Sequence, residues 1–269
     1  MLVTISHNNQ NYNVNTRDFF DISIPMNFNN KQPNFYDVKK SQLKYLNHDG
    51  KIFSVAKGAG CNVPEINLNI HCSGTHTECV GHLLEDSGNI GKILNDLLLP
   101  AILITVKPFP FSKNNESYHY KVGDNEQVLS KKTIENEINK WKFFSPKAIV
   151  VRTTPNIEEK KYFKYSQNLA PFFTNEALKF FYEIGIEHLV VDIPSIDRMV
   201  DGKILGNHRI FWGDGFNSRG KINPKSKKTI TELTYIPNSI KDGCYFLNIQ
   251  IPHFVCDAAP SRPLLLKID

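Results

Sequence analysis

Short apolar runs bounded by turn-forming residues recur along this chain, and only two stretches carry a helical period. Leu2 to Ser6 and Tyr12 to Asn15 flank Asn8-Asn9 and predict an opening hairpin. Asp21-Ile22-Ser23-Ile24-Pro25 alternates and stops at proline. Further runs span Ala101 to Val106, Ala148 to Val151, Leu189 to Ile193, Tyr245 to Ile251 and Leu264 to Ile268. Several of them lack strict alternation, the pattern of strands covered on both faces. Ser130 is placed to cap a helix with Ile134, Ile138 and Trp141 on one face. Thr174 is placed to cap another with Ala177, Phe180, Phe181 and Ile184 inward and Gly185 as its stop. These elements predict an α/β (α+β) fold, a mixed β-sheet or barrel with a few flanking helices, in a single domain over residues 1–269. The Asn-rich segments 27–34 and 112–117 read as surface loops.

Composition narrows the function classes. The net charge of +5 comes from scattered residues. The densest basic patch, Lys221 to Lys228, contains a proline and polar turn-formers but no aromatic residue, so it reads as a solvated loop rather than a nucleic-acid surface. Leu97 to Val106 is the longest apolar stretch; Pro100 breaks it, and it falls short of the roughly 20 residues that cross a bilayer. The five cysteines are odd in number and form no Cys-x-x-Cys pair, and Met1 to Ile5 turns polar too quickly for a secretory leader. A soluble protein of the reducing cytoplasm is therefore expected. No glycine-rich dinucleotide or phosphate loop is written, so no organic cofactor is expected.

The densest chemistry lies in the eleven residues Cys72-Ser-Gly-Thr-His-Thr-Glu-Cys-Val-Gly-His82. On an extended segment His76 and Glu78 share a face, and parity extends that face back to Cys72 rather than His71. A helical turn after Glu78 would return His82 to the side of the carboxylate. Thiol, imidazole and carboxylate can then meet at one point, as a divalent metal requires.

This segment resembles the signature of the metal-dependent cyclase and kynurenine formamidase family, which includes isatin hydrolase-like enzymes: His-x-Gly-Thr-His-x-Asp-x-Pro-x-His. Gly74, Thr75, His76 and His82 match it in register; Cys72 stands in place of histidine, Glu78 of aspartate and Val80 of proline. The segment Asp21 to Pro25 is similar to the family's opening strand, and Asp192-Ile193-Pro194-Ser195-Ile196-Asp197 to its Asp-Thr-Pro-Ser-x-Asp segment. His208 follows where a ligand histidine would, and Glu232 resembles the glutamate that completes a second metal site; Glu158, Glu159 and Asp214 are also unassigned carboxylates.

The resemblance implies a swivelling β/β/α domain that self-associates as a homodimer or homotetramer. It implies Cys72, His76 and Glu78 around one metal, with Glu78 bridging to a second held by His82, His208 and Glu232. The ions would be zinc, one or two, with manganese as the other candidate: cysteine favours zinc, a carboxylate-rich set manganese. The implied reaction is hydrolysis of a carbon–nitrogen bond in a small N-acyl (arylformamide-like) or cyclic amide. A divalent ion brings the pKa of water from about 15.7 towards about 7, and hydroxide attacks the amide or lactam carbon. Glu78 and His82 are the catalytic candidates, His82 as proton shuttle when it is not a ligand.

Two readings from other classes stand beside this one. A closed coordination sphere would make the chain a non-catalytic metal-binding protein. A metal-free cysteine hydrolase would use Cys79, given a lowered thiol pKa and an orienting partner. Ser195 lacks a Gly-x-Ser-x-Gly elbow and reads as a turn residue. Phe19, Phe20, Phe35, Tyr36 and Trp212 are core residues by default and pocket residues by alternative.

Overall fold

The computed structural model describes residues 1–86 and 88–268. Asn8 and Asn9 both take positive φ, 50° and 60°, and close the opening hairpin of β1 (Leu2–His7) and β2 (Gln10–Asn15). Asparagine tolerates this left-handed region better than most residues, which is why the pair reads as a turn in sequence.

The central layer is a nine-stranded mixed sheet. Its strands are β3 (Phe19–Asp21), β4 (His76–Cys79), β5 (Leu99–Val106), β6 (Ala148–Thr153), β7 (His188–Val191), β8 (Thr229–Glu232), β9 (Gly243–Gln250), β10 (Ala258–Pro260) and β11 (Arg262–Lys267). The order across the sheet is β10-β4-β8-β7-β6-β5-β9-β11-β3. The middle strands β5, β6, β7 and β8 run parallel, and antiparallel strands extend the sheet on both sides. Every residue of β6, β7 and β8 is buried, so the unalternating runs are strands covered on both faces. One covering layer holds α1 (Lys131–Ile138) and α2 (Asn175–Glu183), with Ile134, Ile138, Ala177 and Phe181 in the same core cluster as Ile102, Ile149 and Leu189. Ser130 and Thr174 accept the capping bonds from Thr133 N and Ala177 N, as expected.

Two sequence expectations change. Trp141 lies beyond the end of α1, half-buried at a 3₁₀ turn rather than on the helix face. A further helix, α3 (Gly206–Trp212), escapes sequence pattern reading because Leu205, at φ 49°, precedes it without a capping side chain. Its N-terminus is held from a distance: Asp197 accepts from the backbone N–H groups of Asn207 and His208, and Asp201 from those of Lys203 and Leu205. Among the described residues no helix is long and apolar enough to cross a membrane.

Candidate metal centre

The strand β4 carries the site because it lies in the sheet between β10 and β8. Its alternation sends His76 and Glu78 to one face, while Thr77 bonds Thr231 across the ladder at 2.7 Å and Cys79 packs with Ile90 and Ala259. The register pairs Glu232 of β8 directly with His76, which brings that carboxylate to the same face. The Gly-Thr-His entry is held by packing and one hydroxyl. A Cβ at Gly74 would sit 2.4 Å from Met26 Sδ, and Thr75 Oγ1 donates to Leu233 O while accepting from Ile24 N at 2.8 Å. That last bond ties the opening Asp21 to Pro25 segment to the site.

Six further groups close around Glu78. His208, on α3, places Nε2 3.0 Å from Glu78 Oε1 and 3.9 Å from Glu232 Oε1. His82, in a 3₁₀ turn, places Nδ1 3.9 Å from Glu78 Oε2, so the expected return of this imidazole after a turn occurs. His71 places Nδ1 3.1 Å from Glu78 Oε2 and Nε2 3.0 Å from Asp257 Oδ2. Asp257 Oδ2 also meets His82 Nδ1 at 3.1 Å. His76 and Glu232 complete the set, with His76 Nε2 3.6 Å from Glu232 Oε2. The floor of His76, Glu78, His208 and Glu232 is buried, and His71, His82 and Asp257 form a partly exposed mouth.

The thiol expected as a ligand is absent from this constellation. Cys72 packs with Phe35, Tyr165 and Leu233, and burial together with the Glu232 carboxylate pushes its thiol up to about 11. Residues 70–74 form turns and bends, not strand, so the parity that favoured Cys72 over His71 has no backbone to act on. His71 faces the carboxylates instead. Asp257, beyond every motif in the sequence, was also missed; the signal available was only its position just before an apolar strand. Glu158 and Asp214 lie elsewhere, exposed at the surface.

The donor groups fit a divalent metal. His76 donates from Nδ1 to Gly74 O at 3.0 Å, which leaves Nε2 as the lone-pair nitrogen, buried and without a hydrogen-bond partner among the described residues. Burial holds this imidazole down at about 4, so it is neutral and ready to ligate. His208 is oriented in a similar way, with Nδ1 donating to Asp197 Oδ2 at 2.7 Å and Nε2 turned to the acids, but its charge state is the opposite: burial opposes the charge, and Asp197 and Glu78 outweigh it and hold the imidazole well above its usual range. The donors fall into overlapping sets, His71 with His76 and Glu78, and Glu78 with His208 and Glu232, each within 4.8 Å; His71, His82 and Asp257 form a third. Burial opposes the charge on Glu78, but the imidazoles of His82, His208 and His71 hold its carboxyl well below the usual range. Burial and the Glu78 charge push Glu232 well above it. Like carboxylates this close share protons unless a cation separates them.

The thiol rival does not survive the geometry. Cys79 is fully buried on the opposite face of β4, and burial pushes it up to about 11, away from thiolate. Of the aromatic candidates, Phe35 lines a cavity of 210 Å³ together with Tyr165, Met199 and Asp197, the carboxylate that supports His208. Trp212 is core, its ring tilted against that of His208 with centroids 5.2 Å apart, and Phe20 packs on Tyr245.

The Cyclase family model matches residues 20–198, more than half of the 269. The chain belongs to the Cyclase family. The match holds His71, His76, Glu78, His82 and Asp197 and stops short of His208, Glu232 and Asp257. No curated protein matches the chain in sequence. Solved structures share its fold across nearly its full length. A predicted metal-dependent hydrolase from Bacillus stearothermophilus is 17% identical, with 93% of this chain and 98% of that one covered at a TM-score of 0.58. A novel cyclase is 11% identical, with 94% and 90% covered at 0.63. An isatin hydrolase bound to the product analogue thioisatinate is 13% identical, with 93% and 92% covered at 0.59. The expected mixed α/β architecture is thus that of the Cyclase family's structures.

Proposed function

We propose that this protein is a metal-dependent hydrolase that cleaves the carbon–nitrogen bond of a small N-acyl (arylformamide-like) or cyclic amide. The observation that carries this reading is the buried, unpartnered Nε2 of His76, set among overlapping imidazole–carboxylate groups below a partly exposed mouth. His71, His76 and Glu78 would hold one ion, and Glu78, His208 and Glu232 a second. Imidazole-rich donors favour zinc, and the carboxylates leave manganese open. A divalent ion held there would polarise an amide carbonyl and make water acidic enough to ionise near neutral pH.

The chain's own residues supply the rest. Asp257 grips His82 through Nδ1 and leaves Nε2 facing away from that bond. His82 Nε2 then hands a proton to the departing nitrogen and takes one back from the water whose oxygen adds to the carbonyl carbon as the carbon–nitrogen bond breaks; the products are a carboxylate and an amine, with one proton released to solvent. The thioisatinate-bound relative motivates the cyclic amide. A homodimer or homotetramer belongs to this reading: the ribbon of Gln42–Tyr45 and Pro64–Asn67 is almost wholly exposed, including Tyr45 and Ile66, and two-stranded ribbons are marginal alone in water. Five free cysteines accord with a cytoplasmic setting.

The test is to strip the protein with a chelator, restore zinc or manganese, and assay isatin, N-formylkynurenine and simple lactams. Activity should vanish and return. His82→Ala should keep its metal and lose about 10²- to 10⁴-fold in kcat. Turnover that survives stripping, or wild-type rates in His82→Ala, would overturn the reading.

A further inference from the structure

A second group of metal-donor side chains lies at the opposite end of the strands. His188 opens β7 and is paired in register with Thr229, which opens β8, whereas the candidate centre takes Glu232 from the far end of β8. Three residue steps separate the two ends, about 10 Å along the strand. His188 is only 3% exposed, and its Nδ1 shares a hydrogen bond with Thr229 Oγ1 at 2.8 Å. Its Nε2 makes no hydrogen bond among the described residues; the nearest acid, Asp96 Oδ2, stands 4.0 Å away, beyond hydrogen-bond reach. Glu187 adds a second carboxylate, and the three donor atoms lie within 4.8 Å of one another.

The geometry points to a second divalent-cation site, formed by Asp96, Glu187 and His188, that binds a borderline ion such as zinc and ties the turn before β5 to the entry of β7. Two carboxylates face an imidazole edge across a gap too wide for a hydrogen bond. An ion about 2.0–2.2 Å from each donor fills a gap of that size. Asp96 is half-exposed, so it can close the small remaining distance, and water completes the coordination. Burial holds the His188 imidazole down at about 4, so binding near neutral pH needs no proton to leave it. Lys147 is the competing cation, with Nζ 3.6 Å from Glu187 Oε1. That pair is more than two-fifths exposed on each side, and exposed pairs contribute about 0–1 kcal/mol, too little to hold the position against a dication.

Equilibrium dialysis of the whole chain against zinc tests this directly. Wild-type protein should bind one equivalent more than Asp96→Asn or His188→Gln, or bind that equivalent about tenfold or more tightly. His76→Ala, which damages only the candidate centre, should retain the equivalent. Asp96 is exposed, so its variant stays folded even where His188→Gln does not. Unchanged zinc stoichiometry and affinity in Asp96→Asn would overturn the site, as would loss of the equivalent in His76→Ala.

Discussion

Lys160 and the candidate metal centre both put charge inside the protein, Lys160 at the carboxyl ends of β6 and β7 and the centre with Glu232 at that of β8. Lys160 Nζ donates to Asp192 Oδ2 at 2.7 Å and to Thr153 O and Oγ1 at 2.8 Å, and Asp192 also accepts from Thr153 N and Oγ1. Those charged groups find their partners within the chain. At the centre, by contrast, three imidazoles and two carboxylates crowd Glu78, and His76 Nε2 finds no partner. A complete buried network rigidifies a core, and an incomplete one marks where something from outside belongs.

The largest effect that separates the two clusters is expected from His76→Ala. Bound metal should fall by about 10²-fold or more in affinity, since even outer-sphere losses cost 10- to 100-fold, while thermal stability of the stripped chain changes little; metal analysis and a melting curve decide. Lys160→Met should do the reverse. It strands the Asp192 carboxylate and costs about 3 kcal/mol or more in urea unfolding, with metal content intact. If Lys160→Met also empties the centre, the two clusters are one network and the contrast fails.

Asp197→Asn sharpens the boundary between them, because it reaches the centre through His208 alone, by Nδ1 and the backbone N–H; metal affinity should drop about 10- to 100-fold, read by chelator competition. Stripping the metal should also expose a pH signature. In the stripped chain burial opposes a charged His71, but Asp257 and Glu78 outweigh it and raise it to about 10. A raised imidazole stabilises fully below its unfolded pKa of about 6.5 and loses that contribution as pH climbs towards 10. Asp257 and Glu78 are held low, so they stabilise above about pH 4 and lose it as pH falls. The stripped protein should therefore lose stability as pH climbs above about 6.5, and the loaded protein should lack that alkaline decline. A flat profile above pH 6.5 in the stripped chain would contradict the geometry at His71. The smallest effect is expected from Cys72→Ala, which should leave metal content unchanged and cost about 1 kcal/mol of packing.

Much of the scaffold was legible because periodicity depends on local geometry. The buried strands, the Asn8-Asn9 turn and the caps at Ser130 and Thr174 follow from rules that span a few residues. The same rules brought His76 and Glu78 to one face of β4 and returned His82 to their side. They failed where the backbone stops being regular. Alternation chose Cys72 over His71 on a segment that proved to be turns, and α3 began without a local cap because Asp197 and Asp201 do that work from outside.

The eleven residues that begin at Cys72 thus determined, by themselves, the chemistry of the centre: a line of imidazole and carboxylate whose spacing matches a strand and a turn. Only tertiary structure decided its membership. Glu232 enters through the register of β8 against β4, Asp257 through the approach to β10, His208 through a helix capped from afar, and His71 displaces Cys72 through the shape of one turn. The physical reason is distance along the chain. Spacing governs which neighbours share a face, but groups more than a hundred residues apart meet only when strand pairing and core packing bring them together.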